Sequence, residues 1–250
     1  MSSTDLTSTV VAETITYPES DGKPMADNSK QFRLITTIEG NLEILFEHEP
    51  EVFIAGDMFW YPVEGNNQLR VAPDVMVAFG RPKGDRGAYL QWREGGIGPQ
   101  VVFEILSPGN SRAEMENKFE FYERYGVEEY YLYDPDSGRL QGWLRREGAL
   151  AQIEEMKGWV SPRLGITFDL EGNDLVLSYP DGRRFLTFLE LNQRRQEAEA
   201  QAQIEAEART QAEARAEQAE ARAETEAKAR AEAEARAKEL EAKLKQAGLL

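Results

Sequence analysis

Apolar positions first recur at helical spacing where Phe32, Ile35, Ile38, Leu42 and Leu45 fall on one stripe. Asn28 and Gln31 stand ahead of them at capping spacing, so a helix is expected from Asn28 to about Phe46. Leu69 to Phe79 alternates more loosely around Val71, Val75 and Val77, with Pro73 where an edge or bulge tolerates it better than a strand centre. Val101, Val102, Phe103, Ile105 and Leu106 form a nearly continuous apolar run between Gly98-Pro99 and Ser107-Pro108-Gly109, the pattern of a strand covered on both faces. Ser111 with Glu114 predicts a capping box, Gly126 predicts the stop, and Met115, Phe119, Tyr122 and Tyr125 share one stripe of the helix between. A strand over Tyr130 to Tyr133 follows. Further strands are expected at 139–145, 149–154 and 158–160, then a hairpin through Gly172-Asn173, with a tail helix starting within 184–192. The pattern is mixed α/β, with helices flanking a central sheet and the later strands extending it.

Three polar residues interrupt these patterns. Asp74 heads a strand, Glu104 breaks the apolar run of the next, and Lys118 falls inside the packed arc of the helix, between Tyr125 and Tyr122. An ionised carboxylate in a buried strand is costly without a cation or a metal to compensate it. Each residue also has a plainer reading. Glu104 could be satisfied by a buried arginine, Asp74 could cap the turn at Pro73, and Lys118 could pair with Glu114 four residues upstream.

The order PDV, then EILSP, then a capped helix with an internal lysine, then GVEEYYLYDP resembles the Uma-two family of restriction endonucleases, within the PD-(D/E)XK nuclease superfamily. The resemblance covers most of residues 28 to 190. It implies a restriction-endonuclease-like fold and a metal-dependent endonuclease that hydrolyses DNA, with Asp74 and Glu104 binding Mg2+ or Mn2+ and a lysine assisting the water. The lysine usual two positions after the glutamate is replaced by Leu106, so the resemblance needs Lys118 to supply the ammonium from the helix. Superfamily members often carry an accessory carboxylate on the first helix. Glu39, at the edge of that stripe, is the candidate, and a plain solvated residue is the alternative.

Hard oxygen ligands suit magnesium, which can polarise phosphate and lower the pKa of an attacking water. The chain has no cysteine and a single histidine, His48, so a thiolate nucleophile, a zinc cluster and a Ser-His-Asp triad are hard to build. His48 is expected to meet the dipole at the first helix's C-terminus, and Asp134 before Pro135 to serve a turn.

Composition divides the chain near residue 190. Residues 191–250 hold 19 alanines, 13 glutamates and 11 lysines or arginines, with no proline. That composition predicts a long helix, compatible with an alanine-rich coiled coil that oligomerises or binds a partner, and equally with a solitary charged helix or frayed tail. The expected division is a flexible segment over 1–27, a nuclease-like domain over 28–190 and the helix over 191–250. The whole chain has 45 acidic and 29 basic residues; without the tail, 32 and 18 remain, a net charge of −14. So acidic a body offers little surplus for DNA phosphates, although Arg81, Lys83 and Arg86 form a small basic loop that could face them. Without a membrane-length apolar run or the features of a signal peptide, a cytoplasmic protein is expected. Two classes therefore stand: the endonuclease, and a catalytically silent nuclease-like scaffold that uses its tail for interaction.

Overall fold

The computed structural model describes residues 15–20, 22 and 24–246 of the chain. Helix α1 spans Ser29–Leu45, and the Asn28 side chain accepts from the amides of Lys30 and Gln31. Strands β1 (Val52–Gly56), β3 (Val75–Phe79), β5 (Val101–Ile105), β6 (Glu129–Asp134), β7 (Arg139–Arg146) and β8 (Ala149–Gln152) form one six-stranded sheet in that spatial order. All neighbours are antiparallel except β5 and β6, which run parallel. A parallel pair needs a crossover, and helix α2 (Arg112–Arg124) provides it. The short strands β2 (Trp60–Tyr61) and β4 (Tyr89–Leu90) pair beside this sheet.

Alternation along the strands makes two cores. Val75, Val77, Val101, Phe103 and Ile105 face α1 through Ile35, Ile38 and Leu42. Met76, Ala78, Val102 and Tyr130 face the side of α2, where Tyr122 joins Trp60 and Tyr89. The first core also takes Phe168 and Leu177, with Ile166 just ahead of them, from a separate sheet of β9 (Trp159–Val160), β10 (Thr167–Glu171) and β11 (Asp174–Ser178). Only β7 and β8 therefore extend the central sheet; the last three strands fold over it instead. Glu129, fully buried at the start of β6, ties the two together by accepting from Ser161 Oγ (2.5 Å), Arg163 N (2.7 Å) and Tyr131 OH (2.8 Å).

Helix α1 is rotated from its expected stripe. Phe32 is 49% exposed, while Gln31 and Asn41 are buried. Both polar side chains serve backbone groups that would otherwise lack partners. Gln31 Nε2 donates to Ile105 O at 2.8 Å, and Asn41 bridges the amide and carbonyl of Leu186 while accepting from Tyr179 OH. Gln31 Oε1 accepts from Asp27 N, so it does not close a capping box with Asn28. His48 lies exposed beyond the helix, whose last turn has no basic residue.

Part of the segment expected to be a flexible arm is held to the body. Tyr17 packs edge-on against Tyr61 at 5.2 Å, and Tyr61 OH donates to Pro18 O. Residues 1–14 of that segment lie outside the described residues. At the other end, helix α3 runs unbroken over Phe188–Gln246, 59 residues with none buried. It spans about 90 Å at the usual rise. The chain falls into two compact units that meet between Phe188 and Leu189.

The turn before β7 is tightly fitted against the β10–β11 hairpin. Gly138 has φ +71, and a Cβ there would lie 2.7 Å from the Asn173 Cα. Gly138→Ala is expected to lower stability by about 1–3 kcal/mol, read as an earlier midpoint in urea unfolding.

Candidate active site

The pairing of β3 with β5 sets Val75 opposite Phe103, and continuing that register places Asp74 opposite Glu104 on the face toward α2. Asp74 Oδ2 accepts from Ile105 N at 2.6 Å, so its carboxylate reaches across to the neighbouring strand and does not cap the turn at Pro73. The irregularity expected near Pro73 lies in the adjoining chain, where Asp57 N is shared between Pro73 O and Asp74 O and Asp57 has φ +46.

Helix α2 starts where Ser111 Oγ accepts from Glu114 N. The reciprocal half of the capping box is absent, because Glu114 Oε1 takes the Asn110 side chain. The stop comes at Gly126, φ +88, after Tyr125. This frame turns Lys118 and, one turn later, Tyr122 toward Glu104. Lys118 Nζ lies 2.8 and 3.0 Å from the two carboxylate oxygens and 3.2 Å from Ala72 O. Tyr122 OH donates to Glu104 Oε1 at 2.5 Å. The partner of Glu104 is thus Lys118 rather than an arginine, and Lys118 does not pair with Glu114.

Burial drives the electrostatics of this cluster. Asp74 is pushed up to about 8, first by burial and then by the Glu104 charge, against the opposing pull of Lys118 and Ile105 N. Burial pulls the Lys118 ammonium down, but Glu104 and Asp74 more than offset it and leave its pKa raised. Tyr122 is raised well above its usual value by burial and Glu104, so it stays a donor. Two acids here share one cation.

Of this cluster, Asp74 and Lys118 line a cleft of about 390 Å³, while Glu104 and Tyr122 stay buried beside it. Ala72, Asp74, Asp57 and Phe59 line one side, Gly109, Asn110, Glu114 and Lys118 another, and Glu19, Met25, Asp27 and Gln31 the rest. Among the described residues, no group of three or more His, Cys, Asp or Glu is arranged to hold a metal. A cation bound here would rest on the two carboxylates, completed by backbone oxygens, water and substrate. The donor set is chemically compatible with such an ion, being hard oxygen, and burial with the nearby Glu104 charge raises the Asp74 pKa.

The structure brings Asp74, Glu104 and Lys118 together, while Glu39 stands at Gly56 beside the Asp74 carbonyl. Glu39 approaches Gly56 from α1, accepts its amide, and does not line the cleft; burial raises its pKa. The basic loop is also not as expected. Arg86 forks onto Glu94 at 2.7 and 3.2 Å, Arg81 reaches the same carboxylate at 3.5 Å, and Lys83 pairs with Glu43 at 2.7 Å. All three cations are thus engaged by two carboxylates within the protein, which leaves the loop much less charge for a phosphate than its sequence suggests. Asp134 serves its turn, accepting from Asp136 N and Ser137 N.

Sequence reasoning missed two residues. Tyr122 was counted as core, although its spacing of four from Lys118 on the packed arc was a signal for a second donor. Asp57 carried only the weak signal of a Gly56-Asp57 pair at a strand end.

A mixed sheet with a helical crossover, two acids on adjacent strands and a lysine from that helix on one of them are features of the restriction-endonuclease-like class. The chain belongs to the Uma2 family, whose model, described as "Putative restriction endonuclease", matches residues 18–175. A search of curated proteins found no match. One similar solved structure is "a putative nuclease belonging to DUF820" from Anabaena variabilis, 16% identical, with 56% of this chain and 74% of that chain covered and a TM-score of 0.42. A likeness at that level supports no inference about site or substrate.

Asp74 should impose a distinctive pH dependence on metal-free stability. Its folded pKa of about 8 lies above the ordinary 3.8, so the folded state binds more protons between these values and stability falls as pH rises through that window. Asn at this position keeps an acceptor for Ile105 N without the charge. In chelator, Asp74→Asn is expected to melt above wild type by about 2–4 °C or more at the alkaline end, with the gap closing toward the acid end, as followed by thermal unfolding.

Proposed function

We propose that this protein is a metal-dependent endonuclease that hydrolyses DNA phosphodiester bonds, with Asp74 and Glu104 as ligands for Mg2+ or Mn2+. The observation that carries this reading is the convergence of both acids with Lys118, whose Nζ lies 2.8 Å from Glu104, beside a cleft that Asp74 and Lys118 line. When bound, the cation would polarise a phosphate oxygen and acidify the attacking water. The chain's own groups do the rest. Lys118 stays charged and can orient the water or balance charge on a phosphate oxygen. Tyr122 holds one oxygen of Glu104, which fixes the carboxylate's rotation. Asp74 can release its proton when positive charge arrives, which couples cation binding to pH. Glu39 has no part in this assignment. The reading places the catalytic domain at residues 28–190, takes DNA as substrate and sets the work in the cytoplasm; among the described residues no helix is long and apolar enough to cross a membrane.

A second reading, the silent scaffold, draws on one observation: Arg81, Lys83 and Arg86 are all paired within the protein, and the body is strongly acidic. Cleavage of plasmid and linear DNA separates the two. The wild type is expected to cut with Mg2+ or Mn2+ and not in chelator. Glu104→Gln should lower the rate by about 10³-fold and Lys118→Met by about 10²-fold. Asp74→Asn should abolish cutting while raising the melting temperature, an outcome that loss of fold cannot produce. A wild type that cuts no DNA and whose melting is unmoved by either cation would establish the scaffold.

A further inference from the structure

Helix α3 carries an order of charge that its own pairs four residues apart do not require. From Arg194 the sequence repeats every 21 residues, so that Arg194, Arg215 and Arg236 are each followed five residues later by Glu199, Glu220 and Glu241. Twenty-one residues are three heptads. In that frame, every seam position from Ala198 to Leu244 is Ala or Leu except Glu205, Arg209, Glu226 and Arg230. One flank of the seam holds only Glu or Ala from 199 to 241. The other holds only Arg, Lys, Gln or Ala from 194 to 243. All of it is exposed, including Leu240 at 61% and Leu244 at 37%.

We propose that α3 is the surface on which a second copy of this chain docks, helix beside helix, parallel and in register. Charge complementarity selects both the occupant and the direction. In a parallel pair, the basic flank of one helix faces the acidic flank of the other, which sets Arg194, Arg215 and Arg236 against Glu199, Glu220 and Glu241 of the second copy, twice over by symmetry. An antiparallel pair would match Glu205 with Arg230 inside the seam, but it would line one flank with glutamates and the other with arginines along its whole length.

The polar layers fit the parallel arrangement as well. Glu205 of one chain lies one layer from Arg209 of the other, so each double layer balances itself, and Arg209 already has Glu213 at 2.8 Å within its own chain. Slipping by one or two heptads would set these charges against alanines, so the layers fix the register. Alanine elsewhere lets the helices approach to about 8 Å, and Leu240 and Leu244 close the seam.

The chain has no cysteine, so single cysteines report cleanly. Sedimentation equilibrium is expected to give a two-chain mass at micromolar concentration. On oxidation, Ala202→Cys should cross-link to itself, because Ala202 faces its own copy in parallel register, whereas in an antiparallel pair it would face Ala233. Reversal of the acidic flank (Glu199→Lys with Glu220→Lys and Glu241→Lys) should weaken association by at least about tenfold. Mixing that chain with one carrying Arg194→Glu, Arg215→Glu and Arg236→Glu should restore pairing as a heterodimer. A one-chain mass for the wild type, failure of Ala202→Cys to cross-link to itself, or unchanged association after charge reversal would each overturn the proposal. None of these outcomes bears on cleavage.

Discussion

A carboxylate 3% exposed inside a five-residue apolar strand is the constraint around which the domain is arranged. A carboxylate so placed needs a cation and a donor to reach it from outside the sheet. Helix α2 supplies both from one face, Lys118 to each oxygen and Tyr122 to one of them. That requirement fixes the rotation of α2, and with it the crossover from β5 to β6 and the cleft beside it. Asp74 then enters the same low-dielectric space with a single amide donor and a share of a cation already engaged. The cluster is short of positive charge by construction.

Glu129 shows how the fold treats a buried acid whose role is structural. It sits on β6, as deeply buried as Glu104, and three donors surround it, one from β6 and two from the turn after β9. Burial raises its pKa while every hydrogen bond lowers it. Nothing in its surroundings asks for a further cation. Asp74 has no comparable shell, and it opens onto the cleft whereas Glu129 does not. The contrast separates an acid satisfied by the protein from one left for something else to satisfy.

Local sequence revealed whatever depends on local geometry. The apolar run of β5, its interruption at Glu104 and the arc that carries Lys118 were all legible, because helical and strand periods are short and an ill-placed charge stands out against them. Burial of Gln31 was not legible, because its partner, Ile105 O, lies 74 residues away. The same holds for Asn41, which serves Leu186 across 145 residues. The Arg81 to Arg86 loop looked freely basic because its pairing is tertiary: Glu43 reaches Lys83 from α1, and Glu94 folds back onto both arginines. Tyr122 was hidden differently: its ring fits an apolar stripe, and the pattern says nothing of where its hydroxyl points. The separate sheet of β9 to β11 escaped because strands declare themselves locally but their partners do not.

The tail obeys other rules, and its charges are informative for that reason. With no buried residue, α3 draws its stability from helix propensity and from pairs four residues apart. A sequence shaped only for a lone helix would scatter such pairs around the axis and place glutamate before its cation, the more favourable order. Glu224 before Lys228 and Glu239 before Lys243 follow that order. Arg195 with Glu199, Arg209 with Glu213 and Arg230 with Glu234 reverse it, and all three run from the seam to the acidic flank. The isolated helix gains less from this placement than it could, so the segregation of charge answers to something beside the helix rather than within it.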